Sequence, residues 1–410
     1  MYCCLVSLLL ALNVFAEDKR TLRLTPEQAE SLFMKQNLQL IAERMNVDIV
    51  DAEIVQSGLL PNPELSAEQI NLWRAGREKQ FSAELSLLVQ TARKRRKLVR
   101  RERASREIAV QEFAETLRGL RVELRKSICG MEYLQSCRLT LERQLRLREQ
   151  LIDAFRRQAM RGNTAKSELL RLQSSALELE NEINELEVSL NGMSRTLKSL
   201  LNLAPSVELE VTTGDDGFHP VDPDAISLSR LQDIVAERPD VKRTAMEEKY
   251  HERSLDYEKS LRIPDITLSA NYDRYGGVWN NFAGAGIRFD LPVFNRNQGN
   301  IRAARINVEK SRRLSERQLN EARLEIAEAF DNYVRAYRFY MKASDDELPA
   351  KLDETLDACT RNFLNRNIGI LEYLDFMSAY KSNRMTVLKA RENLMARFAE
   401  LQHATDNAIY

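Results

Sequence analysis

The chain has 410 residues, with 61 Lys plus Arg against 61 Asp plus Glu, so its formal net charge is zero. That balance argues against a protein made to hold nucleic acid, which is usually basic overall. Charged residues make up 30% and Gly and Pro number only 14 and 10, a composition that favours long helices.

The first sixteen residues form a candidate signal peptide (1–16). An apolar run from Leu5 to Phe15 ends at Val14-Phe15-Ala16, which predicts cleavage after Ala16. The run is too short to span a membrane, which takes roughly 20 apolar residues. Beyond it remain Cys129, Cys137 and Cys359. Cys129 and Cys137 fall in a helical stretch, about 12 Å apart, which is beyond disulfide reach. His219, His251 and His403 show no ligand spacing. No metal site and no cofactor is expected. Without a phosphate-binding Gly loop, clustered His or Cys, or a nucleophile motif, the chain does not read as an enzyme.

Two short alternating segments follow in each half of the chain. Phe81, Ala83, Leu85, Leu87 and Val89 alternate with polar residues, as do Ile266, Leu268, Ala270 and Tyr272, and then Ala283, Ala285, Ile287, Phe289 and Leu291 alternate with small or polar ones. Residues 64–73 alternate less cleanly. Period two predicts strands with one apolar and one polar face. The joins "RAGREK" (74–79) and "RYGGVWNN" (274–281) predict hairpin loops. Ten residues at ~3.3 Å each, tilted by ~40°, reach about 25 Å, the height of an outer-membrane barrel wall.

After the first hairpin comes "TARKRRKLVRRERASR" (91–106), with nine Lys or Arg and one acid, Glu102. Such a run opening a helix opposes the macrodipole, so a compensating partner is expected. A long helical pattern then runs from about Thr91 to Arg161, roughly 105 Å at 1.5 Å per residue, with an a/d series from 117 to 155 that is apolar except at Ser127, Arg138 and Arg148. Its return segment is stricter. Leu169, Leu172, Ala176, Leu179, Ile183, Leu186, Leu190, Met193, Leu197 and Leu200 are all apolar at a/d spacing, a coiled-coil seam. The second half repeats this with Tyr373, Phe376, Tyr380, Val387, Ala390, Leu394 and Leu401. Its outgoing span, 297–365, should break near "DDELPAK" (345–351) at Pro349.

The halves superpose at an offset of 201 to 207 residues: "LPNPELSA" (60–67) on "RIPDITLSA" (262–270), and "GNTAKSELL" (162–170) on "GILEYLDFM" (369–377). The predicted organisation is therefore a signal peptide (1–16), a first repeat (17–213) and a second repeat (214–410), each a helix, a strand hairpin and a long helix pair. Four strands cannot close a barrel, because about eight is the practical minimum. An open sheet with an apolar face would not survive in lipid. The chain must contribute its strands to a barrel shared between copies. Two copies give eight strands and three give twelve. A soluble coiled-coil scaffold would explain the seams and the charge, but not the signal peptide or the strands.

In "LPNPELSAE", "ERPDV" (237–241) and above all "FDLPVFNRNQGNIRAA" (289–304), the chain resembles the TolC family of outer-membrane efflux proteins. It is most similar to the cobalt-zinc-cadmium, heavy-metal resistance branch. The resemblance implies a mainly α fold with a membrane β portion. Four strands per protomer enter a trimeric 12-stranded barrel, continued by a periplasmic α-helical tunnel. It implies a homotrimer, a periplasmic membrane-fusion adaptor and an inner-membrane RND-type pump as partners, with passive conduction of substrate. Drug efflux and type I secretion are the alternatives within the family. It places the strand–helix junctions at the periplasmic face of the barrel: Lys94 and Arg95 in the first half, and Pro292, Asn295, Arg296, Asn297 and Gly299 in the second. The basic run would there meet anionic outer-membrane lipid rather than nucleic acid. It also places Gly162 and Gly369 at the tip turns, and a constricting acidic ring at the tunnel entrance. Asp375 falls at the ring position, Glu372 shares its helix face, and Glu168 is the first-half equivalent. A ring of carboxylates favours cations. A second family acid is Ser378 here, and Ile370 and Leu371 stand where the family carries a gating arginine.

Overall fold

The computed structural model describes residues 21–70, 80–159, 166–212, 220–275, 280–344 and 347–406. The signal peptide, the tip of the first hairpin, most of the second hairpin loop and Gly162 lie outside these residues. In chain order the elements are β1 (Thr21–Leu24), α1 (Pro26–Gln36), α2 (Leu38–Ser57), β2 (Glu64–Ile70), β3 (Gln80–Val89), α3 (Lys94–Ala159) and α4 (Lys166–Leu201). Then come β4 (Glu208–Val211), α5 (Leu228–Asp233), α6 (Pro239–Ser260), β5 (Ile266–Tyr275), β6 (Asn280–Phe289), α7 (Gln298–Ala343), α8 (Glu347–Leu364) and α9 (Ile370–Ala404). The order strand, two helices, hairpin, long helix and return helix occurs twice. In the second pass the outgoing helix is broken into α7 and α8. Pro349 lies in the first turn of α8, where a missing N–H costs nothing, so the break precedes the proline.

The chain divides into two compact units. One comprises the chain up to Gln39, Arg118–Gln232 and the chain from Glu325; the other comprises Leu40–Leu117 and Asp233–Leu324. Each unit draws on both halves of the sequence, so division in space cuts across the repeat in sequence.

The second unit holds a four-stranded antiparallel sheet in the order β2-β3-β5-β6. The central β3–β5 pairing joins the two hairpins. Its register puts like with like. Leu65, Leu85, Ala270 and Ala285 form one row across the sheet, Leu87, Leu268 and Ile287 another, and Val89, Ile266 and Phe289 a third. All these side chains share one face, because residues two apart in a strand point the same way. The opposite face carries Ser86, Ser269, Glu84 and Asn271. The apolar face has no cover: Leu65 is 75% and Ile287 71% exposed. In the same unit, α6 opens on Pro239 and a buried ion pair. The Arg238 guanidinium donates to both carboxylate oxygens of Asp240, at 3.1 and 2.7 Å, and Gln318 donates to the same carboxylate.

The first unit begins with a two-stranded parallel sheet, β1 on β4, with Thr21 opposite Glu208. α1 starts from a capping box. The Gln28 backbone N–H donates to the Thr25 hydroxyl, and the Gln28 side chain accepts from the Thr25 N–H, which satisfies two orphan donors of the helix start. The core of α3, α4, α8 and α9 in this unit follows the predicted seams. Leu172, Ala176, Leu179, Leu190, Leu197 and Leu200 are buried along α4, and Tyr373, Tyr380, Ala390, Leu394 and Leu401 along α9. Of the three polar interruptions of the α3 seam, Ser127 and Arg148 are buried too, while Arg138 is half-buried and pairs with Glu187 on α4 at 3.2 Å. Arg148 donates to the Ser175 carbonyl at 2.7 Å, and burial lowers its pKa.

Candidate functional site

The strands hand over to the long helices through two tight turns in the second unit. The β3–α3 turn uses two consecutive left-handed residues, Ala92 (φ 51°) and Arg93 (φ 55°). Two non-glycine residues in this region are costly, so something must hold them. Asp265, just before β5, does so. Its Oδ1 accepts from the Thr91 N–H at 2.8 Å and pairs with Lys94 Nζ at 2.8 Å. The Thr91 hydroxyl donates to the Pro264 carbonyl at 2.6 Å. The Lys94 side chain is only 7% exposed, so this ion pair is desolvated and depends on both partners.

The β6–α7 turn reaches the same end by other means. Asn297 is the left-handed residue (φ 56°), and Asn tolerates that region better than most. Its N–H donates to the Asn295 side-chain oxygen at 3.0 Å, an Asx turn. Its side-chain amide donates to the Glu258 carbonyl at 2.9 Å and the Glu258 carboxylate at 2.7 Å, fixing α7 to the end of α6. The Arg296 N–H donates to the Gln298 side chain at 2.8 Å. Both turns open on one cleft of about 630 Å³, lined by Lys94, Asp265, Arg288, Pro292, Asn295 and Asn297 among others. Thus Lys94, Pro292, Asn295 and Asn297, from opposite halves of the chain, meet in one place.

The other candidate region lies in the first unit, where α8 turns into α9. α8 ends in a Schellman motif: the Asn367 N–H donates to the Asn362 carbonyl at 2.8 Å and the Arg366 N–H to the Phe363 carbonyl at 3.0 Å. The left-handed residue is Arg366 (φ 62°). Gly369 instead caps the start of α9 in an extended conformation (φ −82°) with open space where a Cβ would stand. The turn therefore needs no glycine there. A column of rings fixes the first turn of α9. Phe155 stacks on Phe363 with centroids 5.0 Å apart, and Phe363 stacks on Tyr373 at 4.6 Å. Burial pushes the Tyr373 phenol up. With Tyr373 inward, Glu372 and Asp375 point outward and are exposed. Neither makes an ion pair among the described residues. Glu168, in the first turn of α4, is half-buried. Further along, Lys381 on α9 pairs with Glu182 on α4 at 2.6 Å.

No protein-family model matches the chain. Among characterised proteins it is similar to the cobalt-zinc-cadmium resistance protein CzcC of Cupriavidus metallidurans, 26% identical over 294 residues, 70% of this chain and 68% of that protein. It is more distantly similar to the toxin and drug export protein A of Aggregatibacter actinomycetemcomitans, 19% identical over 73% of this chain and 65% of that one. Solved structures match almost end to end. The CmeC outer-membrane channel of Campylobacter jejuni superposes with a TM-score of 0.78 over 94% of this chain and 86% of its own, at 13% identity. CusC gives 0.75 over 93% and 91%, at 17% identity. The fold is that of the TolC-family outer-membrane channels.

Within this TolC-type fold, the basic run at 93–106 is less available than its sequence suggests. Lys94 is taken by Asp265, Arg101 by Glu102 and the ring of Tyr257, and Arg106 by Asp51 at 2.7 Å. These acids are the compensation that a basic helix start calls for. Arg93, Arg96, Arg100 and Arg103 stay exposed, while Arg95 is half-buried. Arg296 turns away from the shared cleft into a neighbouring one. Gly299 has open space at its Cβ position, so steric crowding does not explain it. Three functional residues of the junctions escaped the sequence reading: Asp265, Glu258 and Thr91. The signal available was slight: Asp265 follows Pro264 immediately before an alternating segment.

Proposed function

We propose that the chain is the outer-membrane channel of a tripartite efflux system. It conducts heavy-metal cations passively outward from a periplasmic adaptor and an inner-membrane RND-type pump. The observation that carries this reading is the four-stranded sheet. Its outer strands, β2 and β6, each pair on one side only, and its apolar face is exposed. In lipid, each unpaired backbone group costs several kcal/mol, so the edges must be met by other copies. Three copies bring twelve strands and close the cylinder, as in the trimer of this family. The likeness to CzcC supports heavy-metal cations as cargo. The direct test is a deletion strain challenged with zinc, cobalt, cadmium, copper and a drug panel. Sensitivity to the metals alone, reversed by the intact gene, is the expected result. Sensitivity confined to drugs would favour the export reading that the second relative suggests.

The exposed carboxylates of Glu372 and Asp375 support a cation-favouring entrance, with Glu168 as a first-half contributor. In three copies, Glu372 and Asp375 supply six carboxylates. The variant E372Q/D375N should lose cation preference in planar bilayers, read as a reversal potential moved towards zero under a salt gradient. An unchanged reversal potential would remove these residues from the entrance while leaving the channel reading intact.

A further inference from the structure

Beside the shared cleft lies a second, open cleft of about 710 Å³, within the range of roughly 300–1,000 Å³ common to small-ligand sites. Its lining includes Arg262, Arg296, Arg302 and Arg305, and it contains no carboxylate. None of these four guanidinium groups makes an ion pair or side-chain hydrogen bond among the described residues, a condition shared with the exposed Arg93, Arg96, Arg100 and Arg103 of the basic run; what sets this cleft apart is the apolar surface beside its charge. Arg302 and Arg305 are three apart on α7 and share a face. All four are exposed, so solvent screens their mutual repulsion, and the cleft presents a concentrated positive charge open to an anion.

A second feature of the cleft is apolar. Phe294 is 92% exposed and Val293 56%, with Leu291 next to them at 72%. This loop follows directly on the last row of the sheet, where Phe289 stands opposite Ile266. The arginines therefore border the end of the exposed apolar face, with a bare aromatic ring between. A free phosphate ion would use the arginines and leave the ring in water. A lipid uses both, its headgroup on the guanidinium groups and its chain against Phe294 and the strand face.

We propose that this cleft binds the anionic headgroup of a glycerophospholipid, phosphatidylglycerol being the simplest. The site is distinct from the basic run at 93–106, three of whose charges are already paired. The proposal rests on reading the sheet as part of an outer-membrane wall.

The test uses the full chain purified in a nonionic detergent, with short-chain phosphatidylglycerol or phosphatidylcholine added and bound lipid counted by native mass spectrometry. Each arginine near an anionic lipid should contribute about fivefold to the preference. The variant R262Q/R296Q/R302Q/R305Q should bind the two lipids alike. The corresponding four-Lys variant should keep most of the preference, and R93Q/R96Q/R100Q/R103Q should change it little. If the four-Gln chain does not fold, R302Q/R305Q should still lower the preference by more than tenfold. The idea is overturned if the unmodified protein binds both lipids equally, if inorganic phosphate alone competes as well as the lipid does, or if the Gln variants keep the preference. It is also overturned if the Gln variants lose the trimer while lipid binding is unchanged, because the arginines would then serve a neighbouring copy. A detergent-independent, water-soluble monomer would instead remove the channel reading itself.

Discussion

The two strand-to-helix turns of the sheet perform one task with different chemistry. At the first, Ala92 and Arg93 both sit in the left-handed region, and a desolvated ion pair between Lys94 and Asp265 holds them there. At the second, one left-handed asparagine suffices, and its side-chain amide bonds to Glu258. The ionic turn consumes its own charge: its lysine and its acid answer each other. The amide turn bonds its acid, Glu258, to an asparagine amide rather than to a cation, and the arginines around it, Arg296 and Arg302 among them, make no ion pair among the described residues. Repeated halves can therefore preserve geometry while exchanging which side faces inward chemically and which remains available to something outside.

Of the two turns, the first should lose most, through Asp265. Asp265→Ala removes the acceptor of Thr91 and strands the Lys94 ammonium in a site where it is 7% exposed. Loss of one partner of a buried pair costs ~3–5 kcal/mol. Asp265 is itself 26% exposed, so the lower end, about 3 kcal/mol, is expected in urea unfolding of the detergent-solubilised protein. Lys94→Met/Asp265→Ala should recover most of it, since no charge is then left buried. At the second turn, Asn297→Ala removes hydrogen bonds to a neutral carbonyl and a half-exposed acid and places a Cβ-bearing residue of poorer left-handed tolerance. A loss of about 1–2 kcal/mol follows. If Asn297→Ala proves the more damaging of the two, the ionic turn is not the more tightly determined one.

How much of this was legible beforehand differs between the two regions for a physical reason. Side-chain alternation in the strands and the 3.5-residue seam of α4 are local periodicities, so burial of one face writes itself into adjacent positions. The four strands, their apolar rows and the α4 and α9 cores could be read in that way. The contact of Thr91 with Asp265 spans 174 residues and leaves no period. Neither does β1 on β4, four residues each, too short to alternate visibly. The left-handed positions were hidden because they fall on Ala92, Arg93 and Arg366 rather than on glycines. The tip glycine that drew notice, Gly369, has an ordinary backbone. The α3 seam is interrupted in sequence at Ser127, Arg138 and Arg148, yet the first and last of these are buried. Arg148 donates one of its N–H groups to the Ser175 carbonyl, a partner on another helix that no pattern within α3 could announce. For the carboxylates proposed to line the entrance, the shared face of Glu372 and Asp375 is a matter of helical spacing; their outward direction depends on the ring column Phe155–Phe363–Tyr373.

Glycine substitution should have the smallest effect, and the two turns should respond to it with opposite signs. Glycine accepts the left-handed region without the roughly 1–2 kcal/mol that a Cβ costs there. Against this stands the greater freedom it gives the unfolded chain, about 0.5–1 kcal/mol. At Ala92 nothing else is at stake, for its methyl makes no hydrogen bond, so Ala92→Gly should stabilise by about 0.5 kcal/mol. At Asn297 the same residue relieves less strain, because asparagine tolerates the region, and it forfeits the amide bonds to Glu258. Asn297→Gly should therefore destabilise by about 1 kcal/mol. Unfolding midpoints shifted in the same direction by both substitutions would mean that backbone strain, rather than the choice between ion pair and amide, governs the two turns.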